Sequence, residues 1–114
     1  MTNENYYKMV ELLKSTTASG KLSWEFNAIN GSFSTVINEC RIELHVYYSA
    51  PVNDSIASLE LFNQNGQSFV TYSYYSQDEE DDYNELKSLE EIVRDRYYKI
   101  TESENLIIGG LENL

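Results

Sequence analysis

Residues 40–48 read Cys-Arg-Ile-Glu-Leu-His-Val-Tyr-Tyr, the longest alternation of side chains in the chain. Successive side chains of an extended strand point to opposite faces of a sheet. One face therefore carries Cys40, Ile42, Leu44, Val46 and Tyr48, and the other carries Arg41, Glu43, His45 and Tyr47. Because only one of these faces can be the core, we predict a half-buried strand with Ile42, Leu44 and Val46 turned inward.

Shorter patterns of the same period flank this strand on both sides. Residues 22–26 alternate in the same way, and residues 33–37 form a return strand. The dipeptide Asn30-Gly31 between them suits a type I′ hairpin turn. Two further strands are expected around residues 57–61 and at residues 68–75. No helical segment separates the strands, so we expect an antiparallel meander.

The two ends of the chain have helical periodicity instead. The apolar stripe of the first helix comprises Tyr6, Met9, Val10 and Leu13. We expect this helix to end near Ser15, where residues that form helices poorly begin. The stripe of the second helix comprises Leu86, Leu89, Val93, Tyr97 and Ile100, with Ser76 or Asp78 as its cap. Thr101 and Glu104 match a capping box, which predicts a separate short last helix ended by Gly109-Gly110.

These patterns predict a single α+β domain over residues 1–114. Its five-stranded antiparallel meander sheet is covered on one face by the N-terminal and C-terminal helices. The agreement of strand alternation with helix stripe identifies the core residues. They are Trp24, Ile42, Leu44, Val46, Leu59, Leu61, Leu86, Leu89 and Val93.

The charge balance limits the classes of partner. The chain has 8 Lys and Arg against 19 Asp and Glu, a formal net charge of −11. Such a field repels nucleic-acid backbones and anionic membranes, so we expect no direct binding to either. The N-terminal residues show no targeting segment, and the apolar runs are too short to cross a bilayer, so a cytoplasmic location is expected.

Few residues could carry catalysis or hold a metal. One Cys and one His exclude an internal disulfide, a four-cysteine zinc site and a multi-histidine site. Cys40 and His45 are five residues apart, so in one regular strand they point to opposite faces and cannot form a dyad. The acidic run lacks the spacing of a calcium loop. We therefore expect a protein without catalytic residues, metal or cofactor.

Two features exceed what folding requires, and both are candidates for partner binding. The first is an acidic surface, since residues 78–95 hold nine carboxylates against Lys87 and Arg94. Its candidate residues are Asp78, Glu79, Glu80, Asp81, Asp82 and Glu85. It suits a basic protein, including one that normally binds nucleic acid, whereas the simpler interpretation is a solvated helix face.

The second feature is an aromatic sheet face. The chain contains 10 Tyr, and four aromatic residues, Tyr47, Phe62, Phe69 and Tyr75, fall out of phase with the core positions of their strands. Of these, Tyr47, Phe69 and Tyr75 are the candidate contact residues. An uncovered aromatic face is often an interface, because Tyr supplies contact area at low entropic cost. A partner protein or a homodimer through this face is expected, and an exposed amphipathic face without a partner is the alternative.

The order of elements also resembles a loose group of small, acidic, uncharacterised α+β proteins of bacteria and mobile elements. The resemblance lies in residues 20–25 (Gly-Lys-Leu-Ser-Trp-Glu) after a first helix, the Asn65-Gly66 hairpin and an acidic run before the helix of residues 85–96. It implies no catalytic residues. By size and charge alone, the chain is also similar to phage-encoded inhibitors of bacterial defence systems, including anti-CRISPR proteins.

Three functions are compatible with these residues. The first is a non-enzymatic binding protein, an inhibitor or regulator that uses its acidic surface to engage a basic protein. The second is an oligomeric small-molecule binder, acting as a sponge or sensor. An enzyme is the third and the least supported.

Overall fold

The computed structural model describes residues 4–114 and confirms the α+β fold with its antiparallel meander. Its helices are α1 (Glu4–Ala18) and α2 (Glu80–Glu112). Its strands are β1 (Glu25–Asn27), β2 (Ser32–Ile37), β3 (Cys40–Ser49), β4 (Asp54–Phe62) and β5 (Ser68–Tyr75). The strands follow one another across the sheet in chain order, and every neighbouring pair is antiparallel.

The alternation of β3 sets the two faces of the sheet. Leu44 pairs with Phe33 of β2 and with Leu59 of β4, and all three side chains are fully buried. Both helices pack on this face, where Tyr6 of α1 and Leu89 of α2 join the same apolar cluster. Of the nine predicted core residues, seven are buried, and Val46 and Leu61 are half-buried.

Helix α1 is longer than its composition predicts. It continues past Ser15 to Ala18 because Thr17 is fully buried and its hydroxyl accepts a hydrogen bond from the indole Nε1 of Trp24 at 2.9 Å. Gly20 then ends the helix with a positive φ of +80°, which glycine adopts without strain. The amides of Gly20 and Lys21 donate to the carbonyls of Thr17 and Thr16, the two bonds of a Schellman motif.

Helix α2 is one continuous helix of 33 residues, so the prediction of a separate last helix is wrong. Thr101 does not cap a new helix. Its hydroxyl donates to the carbonyl of Tyr97 one turn earlier, as a residue inside a helix can do. The predicted cap is also wrong, because Glu79 precedes the first turn and makes no side-chain capping bond. Gly109 and Gly110 both lie within the helix.

The turns differ in one respect from the sequence prediction. The type I′ signature of two successive positive φ angles occurs at Asn38 and Glu39, between β2 and β3. At the predicted position only Gly31 has a positive φ, and its amide donates to the carbonyl of Asn27 at 2.7 Å. Strand β1 is correspondingly short, since it begins at Glu25 after the buried Trp24.

We predict that Leu44→Ala lowers the free energy of unfolding by about 2–5 kcal/mol, because it leaves a cavity between the sheet and the helices. Ile29→Ala is the matched control, since Ile29 is 98% exposed in a turn and its truncation removes no packing. Urea unfolding followed by circular dichroism measures both changes. Equal stabilities of the two variants would show that the face of β3 carrying Leu44 is not the core.

Candidate functional site

The candidate site lies at the end of the sheet where β5 turns into α2. Asp54, at the start of β4, is buried there and holds the connecting loop. Its carboxylate accepts hydrogen bonds from the Ser76 hydroxyl and from the amides of Ser55 at 2.8 Å and Gln77 at 3.2 Å. These bonds, the one from Ser76 above all, hold the pKa of Asp54 below its ordinary value. The loop that leads to Asp78 is thereby fixed to the sheet.

The acidic run follows directly from this anchor. Residues 78–82 line an open cavity of about 390 Å³, and within residues 4–114 none of their carboxylates forms an ion pair with Lys, Arg or His. Asp82 accepts a hydrogen bond from the Tyr7 hydroxyl at 3.2 Å. That bond and the charge of Asp82 raise the pKa of Tyr7. The carboxylates therefore form a surface of negative charge that the described part of the chain does not neutralise.

Glu85 behaves differently from the other predicted acidic residues. Its carboxylate lies 2.6 Å from the ammonium of Lys14 in α1, and that ammonium is also 3.9 Å from Glu11. The pair joins the two helices. Glu85 is thus a structural contact within the fold, and its charge is largely compensated.

Tyr75 lies beside the acidic run, and Tyr47 lies two strands away at the same end of the sheet. Tyr47, Ile56 and Tyr75 are neighbours across β3, β4 and β5 on the face that the helices leave uncovered. Ile56 is buried between the two tyrosines, each of which is 38% exposed. His45 stacks on Tyr47, with ring centroids 4.5 Å apart. The side chains of Tyr47, Ile56 and Tyr75 therefore form a row across the ends of three strands.

Backbone contacts join this row to the carboxylates. The amide of Glu79 donates to the carbonyl of Tyr75 at 3.0 Å, and the Glu79 carboxylate accepts from the Tyr75 amide at 3.5 Å. The acidic run therefore begins beside the backbone of Tyr75, and the two features predicted separately meet in one region at this end of the sheet. We call it the acidic–tyrosine surface, and it comprises Tyr47, Tyr75, Asp78, Glu79, Glu80, Asp81 and Asp82.

Phe69 does not belong to this surface. It precedes Tyr75 by six residues in β5, so the two are about 20 Å apart along the strand. It lies at the opposite end, near the bulge between Leu61 and Phe62, where the guanidinium of Arg41 stacks 4.0 Å above the Phe62 ring. The aromatic residues that the sequence predicted as one group therefore lie in two groups, at opposite ends of the sheet.

The groups considered for catalysis are not brought together. Strand β3 pairs with β4 in continuous register from Arg41 to Ser49, so Cys40 and His45 point to opposite faces of the sheet. Within residues 4–114, no group of three or more His, Cys, Asp and Glu side chains is arranged to hold a metal ion. The buried Glu90 is accounted for by its hydrogen bonds from the Arg94 guanidinium, which raise the pKa of Arg94.

No described helix combines the length and apolar character needed to cross a membrane. In comparisons with known proteins, no family model, curated protein or solved structure matches the chain. The resemblances drawn from the sequence consequently stay predictions.

We predict that Asp54 makes stability depend on pH on the acid side. A carboxyl whose pKa is lowered by folding adds stability above its unfolded pKa of about 3.9, and this contribution is lost as the pH falls through the folded value. Wild-type protein should therefore lose stability more steeply than Asp54→Asn as the pH falls from about 5. Denaturant unfolding at a series of pH values measures the two slopes. Identical slopes would contradict the role assigned to Asp54.

Proposed function

We propose that the chain is a non-enzymatic binding protein, an inhibitor or regulator whose acidic–tyrosine surface engages a basic surface of another protein. The observation that carries this proposal is the continuity of the site. Five successive carboxylates, which form no ion pair with a cation of residues 4–114, follow the loop that Asp54 fixes and begin beside the strand end that carries the half-exposed Tyr75.

The charge of this surface exceeds what the helix needs. Negative side chains in the first turn of a helix interact favourably with the helix dipole. In α2, Glu80, Asp81 and Asp82 supply these charges. Asp78 and Glu79 lie before the helix and add repulsion in a chain of net charge −11. A cationic partner would offset that repulsion and be steered to the site from a distance.

The tyrosines favour arginine over lysine as the partner's cation. A guanidinium can stack on an aromatic ring while it donates two parallel hydrogen bonds to a carboxylate, which an ammonium cannot do. Tyr75 and Glu79 provide a ring and a carboxylate on one short segment. Arginine-rich surfaces are typical of nucleic-acid-binding proteins, where the arginines contact phosphates. The carboxylates of this site would take the place of those phosphates.

We predict that Glu80→Gln/Asp81→Asn weakens binding of a fluorescent arginine-rich peptide about fivefold, since two exposed ion pairs are worth about 1 kcal/mol together. Glu25→Gln/Glu39→Gln is the matched control, because it removes the same charge from β1 and from the β2–β3 turn. Fluorescence anisotropy at about 20 mM and about 150 mM salt measures the affinities, and the higher salt should weaken wild-type binding.

A lysine peptide of equal length tests the role of the rings. Tyr75→Ala should reduce the preference for the arginine peptide while leaving the lysine peptide nearly unaffected. If the two charge variants lose affinity equally, binding follows net charge alone. The acidic–tyrosine surface would then be a solubility feature and the proposal would fail.

A further inference from the structure

The last part of α2 extends beyond the rest of the protein. A helix of 33 residues is about 50 Å long, and the molecule measures 58 × 34 × 25 Å. Its radius of gyration is 15.9 Å, whereas a compact chain of this length has one of about 13 Å. Helix α2 passes Gly20, at the end of α1, where the Arg96 guanidinium lies against the glycine. Beyond Arg96, helix α2 extends past the end of α1.

The extended part of α2 carries an exposed apolar stripe. Ile100, Ile107 and Leu111 follow one another at intervals of seven and four residues, which places them along one side, and Leu114 lies two residues beyond the end of α2. Their exposed fractions range from 43% to 101%, and the adjacent Leu106 is 75% exposed. The two adjacent glycines weaken this end of α2, so packing of the stripe against a partner would stabilise it.

A groove elsewhere on the same chain is long enough to hold this stripe. An apolar cavity of about 570 Å³ lies between α1 and the sheet, with Met9, Leu12 and Ile37 among its lining residues. It follows α1 from Asn5 to Thr16, a length of about 16 Å. The segment from Ile107 to Leu114 is about 10 Å long and would lie within it.

The charges of the groove and the helix are also complementary. Lys8 is the one charged residue that lines the groove, and within residues 4–114 it forms no ion pair. The helix end carries Glu102, Glu104 and Glu112, with no Lys or Arg after Lys99. In a chain of net charge −11, a groove without carboxylates is the surface best suited to receive this acidic, apolar helix.

We propose that the end of α2 docks into the groove beside α1 of a second copy of this chain. The helix cannot reach its own groove, because α2 is unbroken to Glu112 and runs away from α1 after Arg96. Helix-in-groove contacts use apolar anchors at three- and four-residue intervals, as this stripe supplies them. The contact joins the end of α2 to the groove beside α1. Neither contains a residue of the acidic–tyrosine surface, so the contact is independent of that surface.

Sedimentation velocity of two variants, separately and mixed, tests this contact. Leu12→Glu places a charge in the groove, and Leu111→Glu places one on the helix; both side chains are more than half exposed, so neither change disturbs the core. We expect wild-type protein to sediment as a dimer or larger species in about 150 mM salt, and each variant as a monomer of 13.2 kDa. Val52→Glu, on an exposed loop residue, is the control and should sediment as wild type.

The mixture distinguishes this contact from pairing of two α2 ends. Equimolar Leu12→Glu and Leu111→Glu together contain one intact helix end and one intact groove, so a 1:1 complex should form. A mixture that stays monomeric would overturn the proposal, as would a monomeric wild type at every concentration. Thermal unfolding confirms that both variants are folded, and Lys8→Glu serves as a second groove variant that should also weaken association.

Discussion

The structure depends on a sheet that is covered on one face only. The alternation of β3 turns Ile42 and Leu44 toward the two helices and leaves Glu43, His45 and Tyr47 on the other face. Because strand side chains have a period of two, this choice fixes the exposed residues of every paired strand as well. The row of Tyr47, Ile56 and Tyr75 is a direct consequence, since pairing across β3, β4 and β5 aligns residues of equal phase.

The position of the acidic run follows from the same constraint. The chain must pass from the edge of the sheet to the covered face, where α2 begins, and residues 76–79 make that connection. Asp54 fixes it by accepting hydrogen bonds from Ser76 and Gln77, so the carboxylates of residues 78–82 are held next to Tyr75. Charge and aromatic surface meet here because the strand and the helix are joined by a short loop.

Local sequence patterns predicted the helices, the strands and most of the core. The features that they did not predict depend on contacts between residues that are distant in the chain. Periodicity identified all five strands and most of the buried stripe of each helix, although Ile100 of the predicted α2 stripe is 43% exposed. It did not predict that Trp24 extends α1 through Thr17, or that the apolar phase of α2 continues through the capping box at Thr101. The acidic and tyrosine residues were found as separate sets. The one sign in the sequence that the two sets lie together was that Tyr75 and Asp78 are close in the chain. The separation of Phe69 from Tyr75 could be recognised only from the strand register.

We propose that Tyr47, Tyr75 and residues 78–82 act together as one binding surface. Amide chemical-shift mapping of isotope-labelled protein, titrated with an arginine-rich peptide, tests it most directly. We expect the largest shifts at these residues and little change at Phe69 and at residues 100–114. Largest shifts at Phe69 or along the end of α2, or shifts spread evenly over all carboxylates, would contradict it.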